Sequence, residues 1–423
     1  MAVSRIAVVD GLRTPFVKSW SSLNGFDAVA LSTHVTRELL CRTELPADQL
    51  DQVVWGTVIA VPRSPNIARE VALNLGLYNV PGVTVTRACA TGFQAIASAA
   101  EKIAMGHAEI VVAGGVDVTS DAPVPHKKEV IDQLRKMQRQ APMAQARSLM
   151  QLKIKDFFPQ PPALTEPYTG KTMGEHAEDM AKYFGISRKE QDQFSIESHR
   201  KANQATVSGV LDVQKAPVIK GTSLIADDNI IRPEMNPEKL MKLRPSFDKR
   251  NGTITAASSS ALTDGAAAVL LMTEEKAAEL GLTPLGFLRG YAFSAHDPRE
   301  NMLLGNVYAT PTALDRSGIR FEDLDLIEIH EAFAAQVLAN LRCFESADFF
   351  KEKLNRASAL GAIDPSKLNI WGGSLAYGHP FAATGIRITL NLLHGLRHQD
   401  GQFALGTACA AGGLGSAMIF ERA

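Results

Sequence analysis

What most constrains this chain is a set of short apolar runs, punctuated by glycine, that recur along its 423 residues. Ile6-Ala7-Val8-Val9, Ile110-Val111-Val112-Ala113, Ala266 to Met272 and Ala417-Met418-Ile419-Phe420 have strand length and no polar face. A strand of that kind needs cover on both sides, so the runs predict sheets buried between helices. Helical patterns fall between them, at Ala28 to Cys41, Asn66 to Leu75 and Phe93 to Met105, the last closed by Gly106 as a C-cap. Strand, helix, strand in this order reads as an α/β layered fold. Asp10-Gly11 reads as a turn ending the first strand, and Gly252-Thr253-Ile254-Thr255 as a later strand. A single core stops growing at ~250 to 300 residues, so two or three lobes are expected.

From about Asp121 to Phe247 the glycine-punctuated apolar runs vanish, and the segment reads as an inserted, largely helical lobe. Within Lys127 to Lys155 eight basic residues (Lys127, Lys128, Arg135, Lys136, Arg139, Arg147, Lys153, Lys155) outweigh Glu129 and Asp132. Leu134, Met137, Leu149, Met150, Leu152 and Ile154 recur among them at roughly helical spacing, and Phe157-Phe158 and a proline stretch follow. Such a segment suits a lid, a partner-docking helix or a peripheral membrane contact.

The whole chain has Lys+Arg 44 against Asp+Glu 45, a net charge of -1, so no global basic field attracts nucleic acid. No apolar run approaches the ~18 residues of a membrane span, and Asp10, Arg13 and Lys18 interrupt any leader-like stretch, which predicts a cytoplasmic protein. Four scattered cysteines (Cys41, Cys89, Cys343, Cys409) without a CxxC pair predict neither a disulfide framework nor a zinc site.

Four segments could carry chemistry. Cys89 stands where a strand hands over to a helix, and a helix N-terminus stabilises thiolate; a buried, inert cysteine is the competing reading. In Trp371 to Gly385, Gly378 and Pro380 fix His379 in a turn, and imidazole is the natural base for a thiol near neutral pH. Gly406 to Gly415 sets Cys409 in a glycine-rich turn whose exposed N–H groups suit an oxyanion hole. Leu324 to Ile329 runs into His330-Glu331, the kind of strand end where open α/β sheets build sites. Position 334 is Ala, so His330-Glu331 is not a metalloprotease zinc motif, and no metal is expected.

Taken together these blocks resemble the thiolase family. The resemblance extends from Arg5 to Val9 and Arg13 to Phe16, through Thr172-Met173-Gly174, Lys242 to Asp248 and Asp264 to Ala268, to Gly412-Gly413. His330 where most thiolases have Asn, with the basic insertion, is most similar to β-subunits of the bacterial fatty-acid oxidation trifunctional complex. The resemblance implies two similar halves in a five-layer αβαβα core, with residues 1–120 plus 248–273 as the first half, 121–247 as the loop domain and 274–423 as the second half.

It also implies an acetyl-CoA C-acyltransferase that cleaves 3-ketoacyl-CoA with CoA, the last step of fatty-acid β-oxidation. Cys89 would be acylated, His379 its base and Cys409 the acid/base of carbon–carbon cleavage. The N–H groups of Cys89 and Ala411 would form one oxyanion hole, and His379 with a water held by His330 the other. Ala411 departs from the family's Gly, losing freedom at positive φ. Ser260, Arg232 and Met173 would contact acyl-CoA or CoA. Thr172 replaces the His of short-chain enzymes and so suits longer acyl chains. CoA is a co-substrate, with no permanently bound cofactor. A homodimer or higher oligomer and a hydratase/dehydrogenase α-subunit are the implied partners. The alternatives are an acetoacetyl-CoA thiolase acting on short chains, a decarboxylating condensing enzyme of the ketoacyl synthase type, a Cys-His hydrolase and a non-catalytic scaffold subunit.

Overall fold

The computed structural model of the chain describes residues 4–139, 141, 143–145, 158 and 165–423. Its strands, in chain order, are β1 (Ile6–Arg13), β2 (Val17–Lys18), β3 (Gln52–Gly56), β4 (Gly82–Val85), β5 (Ile110–Asp117), β6 (Val218–Lys220), β7 (Ser223–Ile225), β8 (Thr263–Thr273), β9 (Gly286–Ala295), β10 (Leu326–Ile329), β11 (Phe403–Ala410) and β12 (Leu414–Arg422). One hydrogen-bonded path runs β10-β11-β12-β9-β1-β8-β5-β3-β4, while β6 and β7 form a separate pair. β1 pairs with β8 along its length but with β9 only through Ile6, Ala7 and Val8. That short join links a half-sheet built around β8 to one built around β9 and β12.

Alternation along the strands shows why both faces had to be apolar. In β1, Ile6 and Val8 enter one core and Ala7 and Val9 another; in β8, Val269 and Leu271 part from Leu270 and Met272 in the same way. β12 sends Met418 and Phe420 to the core it shares with β1, and Ala417 and Ile419 to a third. The shared core holds the helices Thr91–Ala104 and Ala382–Gln399. The second core takes up the helices Ala28–Arg42 and Ile67–Asn74, and the third Gly305–Ser317 and Ala334–Glu345. Helix, sheet, helix, sheet, helix is the layer order, as expected.

The two middle helices approach closely enough to require glycine. A Cβ on Gly92 would lie 2.6 Å from the Ala382 carbonyl, and one on Gly385 2.7 Å from the Phe93 nitrogen. Ala383, Ile386 and Ile388 line the same interface, and burying side chains of this size contributes ~1.5 to 3 kcal/mol each for the larger ones.

Between β5 and β8 lie the helices Lys128–Met137, Met173–Tyr183, Arg188–Val207 and Pro237–Met241. This region is anchored by a fully buried, two-pronged ion pair. Arg13 Nη1 and Nη2 donate to the two Asp228 oxygens at 2.7 and 2.8 Å, and Asp228 also accepts from the Phe16 N–H at 2.7 Å. In the basic stretch, Lys128–Met137 is helical with Val130 and Met137 buried and Leu134 exposed. Arg147, Leu149, Met150, Leu152, Lys153, Ile154, Lys155 and Phe157 lie outside the described residues. No helix among the described residues is long and apolar enough to cross a membrane.

Two strand expectations are corrected. Asp10-Gly11 does not end β1; the register shifts between Val8 and Asp10, and the strand continues to Arg13. Asp10 accepts from the Gly11 N–H at 2.8 Å, the local bond of a turn absorbed here into a bulge. Gly252 to Thr255 forms no strand. The backbone N–H groups of Thr253 and Ile254 instead donate to the buried Glu178 carboxylate at 2.8 and 3.0 Å, which replaces a sheet partner.

Candidate active site

Cys89 is presented by a sharp turn between β4 and the helix Thr91–Ala104. Ala88 takes φ 45°, a conformation costly for a residue with a Cβ. Thr91 offsets it: its Oγ1 accepts from the Arg87 N–H at 2.7 Å and donates to the Ala88 carbonyl at 2.6 Å. Strain held this way is characteristic of a functional turn.

Glycine also places His379. Gly378 has φ 82°, and a Cβ there would lie 2.2 Å from Thr263 Cγ2. The His379 N–H donates to the Ala261 carbonyl at 3.0 Å, and its ring Nδ1 meets Thr384 Oγ1 at 2.7 Å. His330 extends the β10 line, its N–H donating to the Thr407 carbonyl of β11 at 2.8 Å. Its Nδ1 meets Ser374 Oγ at 2.8 Å. The sulfur of Cys89 and a ring nitrogen of each histidine lie within 4.8 Å of one another. With both Nδ1 atoms engaged, both Nε2 atoms remain buried without a partner.

Cys409, near the end of β11, is buried, and its thiol is pushed up by burial first and by the neighbouring Cys89 second. The hairpin after it takes positive φ at Gly412 and Gly413, not at Ala411. Ala411 therefore needs no glycine freedom, and the departure noted in the sequence costs nothing. Its N–H approaches the Cys89 sulfur, as does that of Cys89 itself.

The electrostatics overturn one expectation. Burial pushes the Cys89 thiol up to about 11, although the two N–H groups pull it down. Desolvation outweighs the helix end, and Cys89 rests as a neutral thiol. Burial likewise holds His379 down at about 3 and His330 well below the usual imidazole range, with Arg387 adding repulsion at both. A neutral base facing a neutral thiol can take its proton only as the sulfur attacks.

Around this cluster is a shell of buried polar groups. Glu331 accepts from Ser198 Oγ and Asn369 Nδ2 at 2.7 Å each, and from the Leu375 N–H at 3.1 Å. Asp117 accepts from Val58, Ile59 and Ala382 N–H groups at 2.7 to 2.9 Å; burial holds it up at about 7. Arg387 pairs with Glu328 and donates to Ser374 Oγ at 3.3 Å. The motifs of the sequence assign no role to these groups. A signal existed for Glu328 and Arg387: each is the lone charge inside an apolar run, Leu326-Ile327-Glu328-Ile329 and Ile386-Arg387-Ile388.

The expected CoA residues fare differently. Ser260 donates its N–H to the Ala332 carbonyl at 3.0 Å, and neighbouring Leu262 bridges to His379, so this strip borders the cluster. Met173 is half-buried against the core that holds Cys409, together with Phe247, whose ring meets Phe333 edge-on at 5.8 Å. Arg232 is exposed, and its N–H donates to His199 Nδ1 at 3.1 Å, on the helix Arg188–Val207. Thr172 caps the helix Met173–Tyr183 in a reciprocal box with Glu175. Among the described side chains Cys89, His330 and His379 could ligate a thiophilic cation, although the chemistry below uses none.

Comparison with known proteins supplies the family. The thiolase N-terminal domain model matches residues 6–275 and the thiolase C-terminal domain model residues 282–422. A 3-ketoacyl-CoA thiolase of Yersinia enterocolitica is 49% identical over 421 residues, covering 99% of this chain and 97% of that protein. One of Escherichia coli O157:H7 is 48% identical with the same coverage. Among solved structures, an acetyl-CoA acetyltransferase of Bacillus anthracis superposes with a TM-score of 0.86 at 32% identity, covering 100% of both chains. Human mitochondrial 3-ketoacyl-CoA thiolase in complex with CoA gives 0.84 at 31% identity, covering 100% of this chain and 98% of that one. The chain belongs to the thiolase family.

Proposed function

We propose that the chain cleaves 3-ketoacyl-CoA with CoA, yielding acetyl-CoA and an acyl-CoA two carbons shorter. The observation that carries this reading is the meeting of Cys89, His379, His330 and Cys409 beside the Ala411 N–H. The Cys89 sulfur attacks the keto carbon while its proton passes to His379 Nε2. The bond between C2 and C3 then breaks, the acyl group stays on Cys89 and the acetyl-CoA enolate takes the Cys409 proton. Incoming CoA returns a proton to Cys409, its sulfur attacks the thioester, and the departing Cys89 thiolate recovers its proton from His379. Two thiols and one base thus end as they began.

Negative charge on the keto oxygen and thioester oxygen needs donors, supplied by the Cys89 and Ala411 N–H groups and by His330. Ser260 and Met173 serve the pantetheine and acyl channel, and Arg232 the distal end of CoA. The domain reading is an inserted loop domain at 121–247 between a first half (1–120 and 248–273) and a second (274–423). A homo-oligomer, association with a hydratase/dehydrogenase α-subunit, membrane contact through the basic helix and a cytoplasmic location complete the proposal. Thiolysis rates across 3-ketoacyl-CoAs of rising chain length test it; turnover of the C4 substrate alone would move the protein to the acetoacetyl-CoA reading.

A further inference from the structure

We propose that Ser374, held by Arg387 and Glu328, acts as a positioning residue that fixes His330 in the tautomer bearing its proton on Nε2, so that His330 faces the substrate as a hydrogen-bond donor. A guanidinium has only donors, and Arg387, fully buried and paired with Glu328, turns one of them onto Ser374 Oγ at 3.3 Å. Among the described residues the side-chain partners of that hydroxyl are Arg387 and His330 Nδ1, the latter at 2.8 Å. Arg387 cannot accept, so the hydroxyl proton of Ser374 has one acceptor within reach, the lone pair of His330 Nδ1. A neutral imidazole that accepts at Nδ1 carries its proton at Nε2, the atom left buried and unpartnered in the pocket.

The neighbouring ring is not constrained in this way. His379 Nδ1 meets Thr384 Oγ1 at 2.7 Å, and among the described residues no cationic side chain donates to that hydroxyl. Thr384 is free to accept from Nδ1–H, which leaves the Nε2 lone pair of His379 for the Cys89 proton. Two imidazoles with centroids 4.2 Å apart thus divide the work, one accepting a proton and one donating a hydrogen bond. The buried Glu328-Arg387 pair is what separates them, and it touches no substrate itself.

The catalytic consequence rests on the thiolase chemistry proposed above, whereas the tautomer does not, and the test keeps the two apart. In protein carrying 15N-labelled histidine, assigned by comparison with His330→Asn, the His330 Nε2 resonance should show the protonated type and Nδ1 the unprotonated type; the reverse pattern overturns the proposal without any assay of activity. Kinetics form a second arm. Ser374→Ala should lower thiolysis kcat on the order of 10-fold, the low end of what losing an orienting partner costs a metal-bound histidine. An asparagine amide always carries an N–H, so in a His330→Asn background the same Ser374→Ala change should cost less than 2-fold. Equal loss in both backgrounds means that Ser374 is merely structural and sinks the relay. If His330→Ala retains full thiolysis while the 15N pattern holds, the tautomer stands and the donor role given to His330 in the mechanism fails.

Discussion

The rings of His330 and His379 lie 4.2 Å apart and 40° from parallel, each tethered at Nδ1 by a hydroxyl and each open at Nε2. Both are desolvated and neutral, so the resting site holds no imidazolium to stabilise a thiolate, and its reactivity must come from substrate binding.

The alkylation rate of Cys89 tests this. With the thiol pushed up to about 11, the thiolate fraction rises ~10-fold per pH unit below that value, so iodoacetamide modification, followed by peptide mass mapping, should still be climbing at pH 9 to 10. A plateau between pH 5 and 8 would show a preformed ion pair. Acyl-CoA should label the same residue; a label on Cys41 or Cys343 would contradict its role.

Cys409→Ser separates the two half-reactions. Turnover should fall by on the order of 10^3-fold or more, since a serine hydroxyl exchanges protons poorly at neutral pH, while Cys89 still accepts an acyl group from acyl-CoA. Quenched-flow detection of the acyl-enzyme decides it: equal loss of both steps would mean that Cys409 is not the acid/base of carbon–carbon cleavage.

Thr172 caps a helix, and the acyl-chain role proposed for it is separable from that. As an N-cap it contributes about 1 kcal/mol, so Thr172→Ala should lower the denaturant midpoint and Thr172→Ser should not. Thr172→His should depress kcat/KM for long chains more than for C4. An unchanged ratio would leave Thr172 as a cap alone.

Charge reversal of Lys127, Lys128, Arg135 and Lys136, on and beside the helix Lys128–Met137, should weaken α-subunit pull-down or liposome co-sedimentation while short-substrate thiolysis persists. Surface attraction of ~1 kcal/mol per basic residue makes the loss salt-dependent. Unchanged association at moderate salt would reduce this helix to a lid.

Much of this was legible in the sequence because the strands are apolar on both faces, which fixes the layers, and because Cys89, His379 and Cys409 sit in glycine-marked turns. The neutral Cys89 thiol is not legible for a physical reason: a helix end is visible in sequence, whereas desolvation by distant segments is not. Ala411 looked like a defect only because positive φ belongs to Gly412 and Gly413, a matter of hairpin geometry. Gly252 to Thr255 had strand composition, yet Glu178, some 75 positions earlier, claimed its N–H groups.

The placement of β1 also governs how the molecule comes into being. β1 lies between β8 and β9, whose residues emerge some 260 to 280 positions after it. At ~5 to 20 residues per second, Ile6 to Val9 wait roughly 13 to 56 s for a neighbour. Throughout that interval a sticky, unpaired strand is exposed on the nascent chain, and Cys89 has neither His379 nor Ala411 beside it. The chemistry is therefore complete only when Cys89, from one half, meets His379 and Ala411, from the other.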